Sequence, residues 1–206
     1  MPGDISSAAF LIVAGMLVPG ASITIARAGV NPTRTGMLDA LEAMGARIGL
    51  SDTAEDGEPT ATLAVSTSRL RGTTVSGALI PRLIDEVPAL AVAAALADGV
   101  TEVRDATELR VKESDRVAAV ARELGRMGAR IEERPDGLVI TGGSELQGAH
   151  VSSGGDHRMA MALTVAGLVA RGETLIEDTA CVATSFPRFV DVLNALAGHE
   201  AITVES

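Results

Sequence analysis

A chain of 206 residues, 47% of them hydrophobic, is long enough to bury a substantial core. Its formal net charge of −10, with no Trp and no Tyr, excludes the cationic surface and the stacking platform on which non-specific nucleic-acid binding depends. The one cysteine, Cys181, excludes an internal disulfide; no Cys/His cluster marks a metal site, and this usage fits a reducing cytoplasm.

The first apolar stretch, "SSAAFLIVAGMLVPGA" (6–21), imitates a secretory segment. It has no basic flank, Asp4 stands where Lys or Arg would be needed, and it is too short to cross a bilayer comfortably. It predicts a buried helix over 6–17 and no membrane partner. Gly20 turns the chain into a short alternating strand. "TGMLDALEAMGA" then predicts an amphipathic helix over 35–44, closed by Gly45, with "RIGL" as a strand after it. The segment 61–75, "ATLAVSTSRLRGTTV", reads as a hairpin.

The pattern then recurs. "IDEVPALAVAAALADGVTEVRD" (84–105) aligns with 3–25 and predicts a second buried helix over 87–97. "SDRVAAVARELGRMGA" predicts an outer helix over 114–127, with Val117, Val120, Ala121, Leu124 and Met127 on one face and Gly128 at its end. "RIEE" follows as a strand, and 137–151 reads as a second hairpin. Both hairpin segments carry Leu-x-Gly-x-x-Val: Leu70, Gly72, Val75 and Leu146, Gly148, Val151. A third copy, 155–178, predicts a buried helix over 158–170, an outer helix over 187–196, Gly198 and a strand "AITVES". It ends without a hairpin. The fold class is therefore α/β (α+β): one domain over 1–206, of three pseudo-threefold βαβαββ-type units at about 1–75, 76–151 and 152–206, with buried helices wrapped by short sheets.

Each buried helix begins near an Asp: Asp4, Asp85 and Asp156. Pseudo-threefold symmetry brings those three N-termini together, where free backbone N–H groups and helix dipoles favour an anion. The same ends carry Asp85 and Glu86, His157 and Arg158, and the cluster "LRVKESDRV" (109–117) with Lys112, Glu113, Asp115 and Arg116. Capping is the plain explanation for such charges: Glu113 and Asp115 suit the positive end of the helix dipole, Ser114 is available as the cap of the helix that follows, and Asp115 keeps a structural role. The alternative is a rim of anion clamps beside proton-shuttling carboxylates, suited to group transfer from a phosphorylated small molecule without metal or cofactor.

"GDISSAAF", "NPTRTG", "LRVKESDR", "GDHRMAMAL" and "ATSFPRF" occur in this order, and together they resemble the 5-enolpyruvylshikimate-3-phosphate (EPSP) synthase family. The resemblance covers the C-terminal half of that family. It implies an enolpyruvyl transferase fold, an inside-out barrel of three units, and an enzyme of the shikimate pathway for aromatic amino-acid biosynthesis. The activity implied is transfer of the enolpyruvyl group of phosphoenolpyruvate to the 5-hydroxyl of shikimate 3-phosphate, by addition and then elimination of phosphate. By the same resemblance Asp85 matches the carboxylate at the shikimate hydroxyls and Glu113 the acid/base for the methylene carbon. Lys112 matches a lysine beside both substrates, Arg116 and Arg158 match the arginines that grip phosphoenolpyruvate, and His157 lines the pocket. Glu86 is a neighbour without an assigned role. Thr184 and Ser185 stand where some members carry a lysine. The family's shikimate-phosphate cluster, its N-terminal lysine and a further arginine have no counterpart, so an N-terminal half of the same enzyme is the expected partner, supplying also the hairpin absent after Ser206. Two alternatives stay open: a UDP-N-acetylglucosamine enolpyruvyl transferase-type domain, disfavoured because Cys181 lies in "DTACVATSF", and an anion-binding assembly module.

Overall fold

Helices that are apolar on every side can be stable only where every side is covered. In the computed structural model, which describes residues 2–54 and 57–205, three such helices fill the centre: α1 (Ile5–Leu17), α3 (Val87–Leu96) and α5 (His157–Val169). They pack against one another, and the buried apolar residues form one continuous cluster. Phe10, Leu90 and Leu163 are wholly inaccessible. Burying such side chains stabilises the fold by about 1.5–3 kcal/mol each. No helix among the described residues is long and apolar enough to cross a membrane.

Around this centre the remaining elements run β1 (Ser22–Gly29), α2 (Gly36–Ala43), β2 (Ile48–Ala54), β3 (Thr60–Ser66) and β4 (Thr74–Val75). Then come β5 (Val100–Val103), α4 (Arg116–Arg126), β6 (Arg130–Arg134), β7 (Gly137–Thr141), β8 (His150–Ser152), β9 (Leu175–Glu177) and α6 (Phe189–Ala197). All six expected helices are present, within two residues of their expected bounds. The glycines that close the outer helices, Gly45, Gly128 and Gly198, have φ of 90°, 93° and 73°, which a side chain would oppose.

The sheets correct two readings. They are ordered β1-β3-β2, β4-β5-β7-β6 and β8-β9. The segments 61–75 and 137–151 are not hairpins. The hairpins are β2–β3 and β6–β7, while the Leu-x-Gly-x-x-Val segments run on into β4 and β8. These pair in parallel with the strand after the next buried helix, Val75 opposite Val103 and Val151 opposite Ile176. A parallel pair needs a crossover, and the buried helix supplies it. Residue Gly3 makes the same kind of parallel bridge to Ala28. The repeated glycine has a steric cause. A Cβ on Gly72 would lie 2.1 Å from the Val100 carbonyl oxygen, and one on Gly148 2.1 Å from that of Glu173.

"AITVES" is not a strand among the described residues. Its hydrogen-bonding partner in the other units is the second strand of a hairpin, which the third unit lacks. Asn194 substitutes locally: its side-chain oxygen accepts from the backbone N–H groups of Ala201 and Ile202, both at 2.9 Å, and its amide donates to the Ile202 carbonyl at 2.8 Å. Helix α6 is tied to the core by Phe189, edge-on to Phe10 at 6.3 Å and tilted against Phe186 at 5.5 Å. An apolar groove remains beside it, lined by Leu11, Ile23, Leu168, Leu193 and Leu196.

Candidate active site

The N-termini of α1, α3 and α5 open on one rim, and they are capped differently. Asp4 caps α1 by accepting from the Ser7 N–H at 2.9 Å. Asp156 caps α5, accepting from the N–H groups of Arg158 and Met159 at 2.9 and 3.4 Å. Helix α3 has no side-chain cap. Glu86 occupies the capping position without bonding to the helix. Asp85 and Glu86 therefore do not serve as caps, the plain explanation open from the sequence. Helix α4 is capped by Asp115, through the Ala118 N–H at 3.0 Å, and not by Ser114. The Ser114 hydroxyl instead donates to Asp156 at 2.9 Å.

Arg116 joins two of the three unit starts, those of the second and third units. It is the first residue of α4, and its side chain is only 1% exposed. Its Nε donates to Asp156 at 2.8 Å and its Nη2 to the same carboxylate at 3.2 Å. Nη1 donates to Asp85 at 3.0 Å, and Nη2 also to Glu113 at 2.7 Å. A planar fork suits this task as an ammonium would not. Four of its five N–H groups are thus engaged, which leaves one hydrogen on Nη1. Burial alone would raise the carboxyl pKa of Asp156, but the hydrogen bonds and charge of Arg116 hold it below the ordinary value.

The other expected residues lie around this hub. Asp85 is 42% exposed and takes a second contact from Lys112 Nζ at 3.5 Å. Burial opposes its ionisation, yet the charges of Arg158, Lys112 and Arg116 keep its pKa below the ordinary carboxylate value. Glu113 is half exposed, open to a ligand on the side away from Arg116. Lys112 bonds Glu108 at 2.8 Å, and that bond, with the nearby Asp85, raises its pKa. Arg158 reaches Glu86 at 3.4 Å. Burial and then the Arg158 charge push the His157 imidazole below its ordinary 6.5. Asp85, Glu86, Lys112, Glu113, Arg116, His157 and Arg158 are thus brought to one end of the helical centre. A shallow recess of ≈ 70 Å³ sits there, lined in part by Ser6, Arg34, Arg82, Asp85 and Glu86. Among the described residues no group of three or more His, Cys, Asp and Glu is arranged to hold a metal ion.

The profile described as EPSP synthase (3-phosphoshikimate 1-carboxyvinyltransferase) matches residues 1–193. The chain belongs to the EPSP synthase family. It is 58% identical over 197 residues to the 3-phosphoshikimate 1-carboxyvinyltransferase of Desulforudis audaxviator, covering 95% of this chain and 46% of that protein. The Gloeobacter violaceus relative is 59% identical over 194 residues, at 94% and 45% coverage. Among solved structures, EPSP synthase from Acinetobacter baumannii superposes with a TM-score of 0.92 at 40% identity, over 95% of this chain and 46% of the other. The enolpyruvyl transferase NikO from Streptomyces tendae shares the fold, with a TM-score of 0.76 at 20% identity over 96% of this chain and 43% of that one. The chain spans about half the length of the curated relatives it matches.

In this EPSP synthase-family chain, sequence reasoning missed the parts that hold the rim together. Asp156 was visible only as the residue that opens the third copy. Its Gly-Asp dipeptide repeats that of Gly3-Asp4, which was the available signal. Arg34, in "NPTRTG", bonds Asp4 and the Ser6 hydroxyl, each at 3.1 Å. Nothing local in the sequence indicates that contact, because the partners lie on different elements.

Proposed function

We propose that this chain is a single three-unit domain over 1–206, the C-terminal domain of a 3-phosphoshikimate 1-carboxyvinyltransferase. It contributes acid/base and anion-binding groups to transfer of enolpyruvyl from phosphoenolpyruvate to the 5-hydroxyl of shikimate 3-phosphate, with release of phosphate. The observation that carries this reading is the hub. One buried guanidinium fixes Asp85 and Glu113 beside each other, at the N-terminal ends of α3 and α5, in a chain of this family.

The chemistry follows from charge and exposure. Asp85, kept ionised by three neighbouring cations, is an acceptor for the substrate hydroxyls and for the 5-OH proton. Glu113, half exposed, delivers a proton to the methylene carbon of phosphoenolpyruvate. The hydroxyl oxygen then bonds the adjacent carbon, and the tetrahedral intermediate expels phosphate as that proton is taken back. Arg158 and Lys112 draw the anionic groups of the substrates, and His157 lines the same side. Arg116 orients the two carboxylates and offers its remaining N–H to phosphoenolpyruvate.

The second wall of the site belongs to an N-terminal half. That half also completes this domain away from the rim: among the described residues the third sheet has two strands, and the apolar groove beside α6 lies at the C-terminal ends of α1 and α5. With one wall open to water the charge interactions are screened: a unit pair at 4 Å is worth about 1 kcal/mol in water against about 4 at an effective dielectric near 20. Catalysis needs interactions that strengthen in the transition state, and half of them are absent. The test is a phosphate-release assay with phosphoenolpyruvate and shikimate 3-phosphate, with and without an N-terminal half. The expected result is turnover only in the mixture. Robust turnover by the chain alone refutes the half-site reading, and no turnover in a mixture shown to associate refutes the assignment.

A further inference from the structure

Glu86 is a buried carboxylate at the rim for which the proposed chemistry has no use, and unlike Asp4 and Asp156 it caps no helix. It is 4% exposed. It stands at the start of α3 yet accepts none of that helix's free N–H groups, so capping does not stabilise its charge. Its support is a hydroxyl, one cation in contact and a second, weaker charge: Ser6 at the start of α1, Arg158 Nη1 on α5, and Arg34. The Arg158 contact, at 3.4 Å, is longer than the about 2.7–2.9 Å of a tight charge-assisted hydrogen bond. The Arg116–Asp156 pair nearby, at 2.8 Å, shows what a committed pair looks like in the same rim. Arg158 is held loosely, by a partner whose other support is the Ser6 hydroxyl and the weaker charge of Arg34.

We propose that Glu86 is a positioning residue that exchanges with ligand: an anion takes Arg158 from it, and Glu86 is neutralised by one proton from solvent, so that anion binding at this rim is coupled to proton uptake. The proposal rests on the reading of Arg158 as an anion-binding residue. The charges around Glu86 make protonation the cheapest relief. Asp85, beside it on the same turn, already repels it. Arg34 bonds Ser6 and adds a smaller favourable charge than Arg158 does. Lys112 and Arg116 spend their contacts on Asp85. Burial and the charge of Arg158 lower the pKa of the neighbouring His157. A bound anion adds negative charge on the Arg158 side and withdraws the stronger of the two counter-charges. Burial already pushes the Glu86 carboxyl above its ordinary 4.5, and the Arg158 and Ser6 contacts only partly oppose this. Ligand binding moves the group further in the same direction. Affinity is then highest below the free-state midpoint of Glu86. It weakens about tenfold per pH unit between the free and bound midpoints, and is level above them.

The experiment is a carbon-13 NMR titration of the Glu86 side-chain carboxyl in the full chain, with and without saturating phosphoenolpyruvate, followed in parallel by the Arg158 guanidinium signals. It reads Glu86 directly, so titration of His157 does not interfere. The expected result is an upward move of the Glu86 midpoint on binding. Calorimetry in buffers of different ionisation enthalpy is expected to show proton uptake, and Glu86→Gln to take up fewer protons than wild type and to lose the affinity change between the two Glu86 midpoints. If phosphoenolpyruvate shifts the Arg158 signals while the Glu86 midpoint stays in place, the coupling is refuted and the anion reading stands. If no rim signal moves at any concentration, the anion reading fails and the coupling with it.

Discussion

Replacing Asp156 by alanine tests the hub at its most buried point. Asp156 has no exposed surface and Arg116 almost none, so the substitution strands a desolvated guanidinium. Removing one partner of a buried pair typically costs about 3–5 kcal/mol. Arg116 keeps Asp85 and Glu113, which argues for the lower end. Helix α5 also loses its cap, at about 1 kcal/mol. The sum is about 4 kcal/mol. At about 2–4 °C per kcal/mol for a chain of this size, the midpoint of thermal unfolding should fall by about 8–16 °C. Asp156→Asn keeps the shape and one acceptor oxygen, and should lose about half as much. The pH dependence has a definite sign. The folded pKa of Asp156 lies below its ordinary 3.8, so its contribution is complete above that value and is lost as pH falls through the folded value. The stability gap between wild type and Asp156→Asn, measured by urea unfolding, should be constant from about pH 5 to 7 and close below about pH 4. A loss under about 1 kcal/mol for Asp156→Ala at neutral pH would refute the hub, because a cap alone accounts for that much.

Four further outcomes follow from the same geometry. Glu113→Gln, in a mixture with an N-terminal half, should lower phosphate release by about 10²- to 10⁴-fold while leaving urea stability nearly unchanged, since the residue is half exposed. Gly72→Ala should destabilise by about 1–3 kcal/mol or more, because its Cβ would meet the Val100 carbonyl. Gly125→Ala, in α4 with nothing near its would-be Cβ, should stabilise by about 0.5–1 kcal/mol; both are read by urea unfolding. His157 should titrate below 6.5 in proton NMR, and Arg158→Gln should raise its midpoint, because the arginine charge is one of the two main causes of the depression.

The sequence by itself determined the helices and the repeat. Burial on all sides requires apolar residues on all sides, so α1, α3 and α5 were legible from composition, and the one-sided pattern of 117–127 marked α4 as an outer helix. Gly45, Gly128 and Gly198 were legible because a left-handed backbone is a local requirement. Only the tertiary structure decided the pairing of the strands. The Leu-x-Gly-x-x-Val segments looked like the ends of hairpins, because β propensity does not name a partner. Their real partners lie beyond the next buried helix, and the clash that forces Gly72 and Gly148 exists only once Val100 and Glu173 are in place. The same division runs through the site. Lys112, Glu113, Arg116, His157 and Arg158 stood out as charges crowded at helix starts. That Ser114 turns to Asp156, that Asp156 grips Arg116, and that Glu86 turns from its own helix to face Arg158 depend on residues between 40 and 72 positions apart. Charge in a sequence has a position but no direction, and in this rim the direction comes from three helices packed so that their N-termini open on one face.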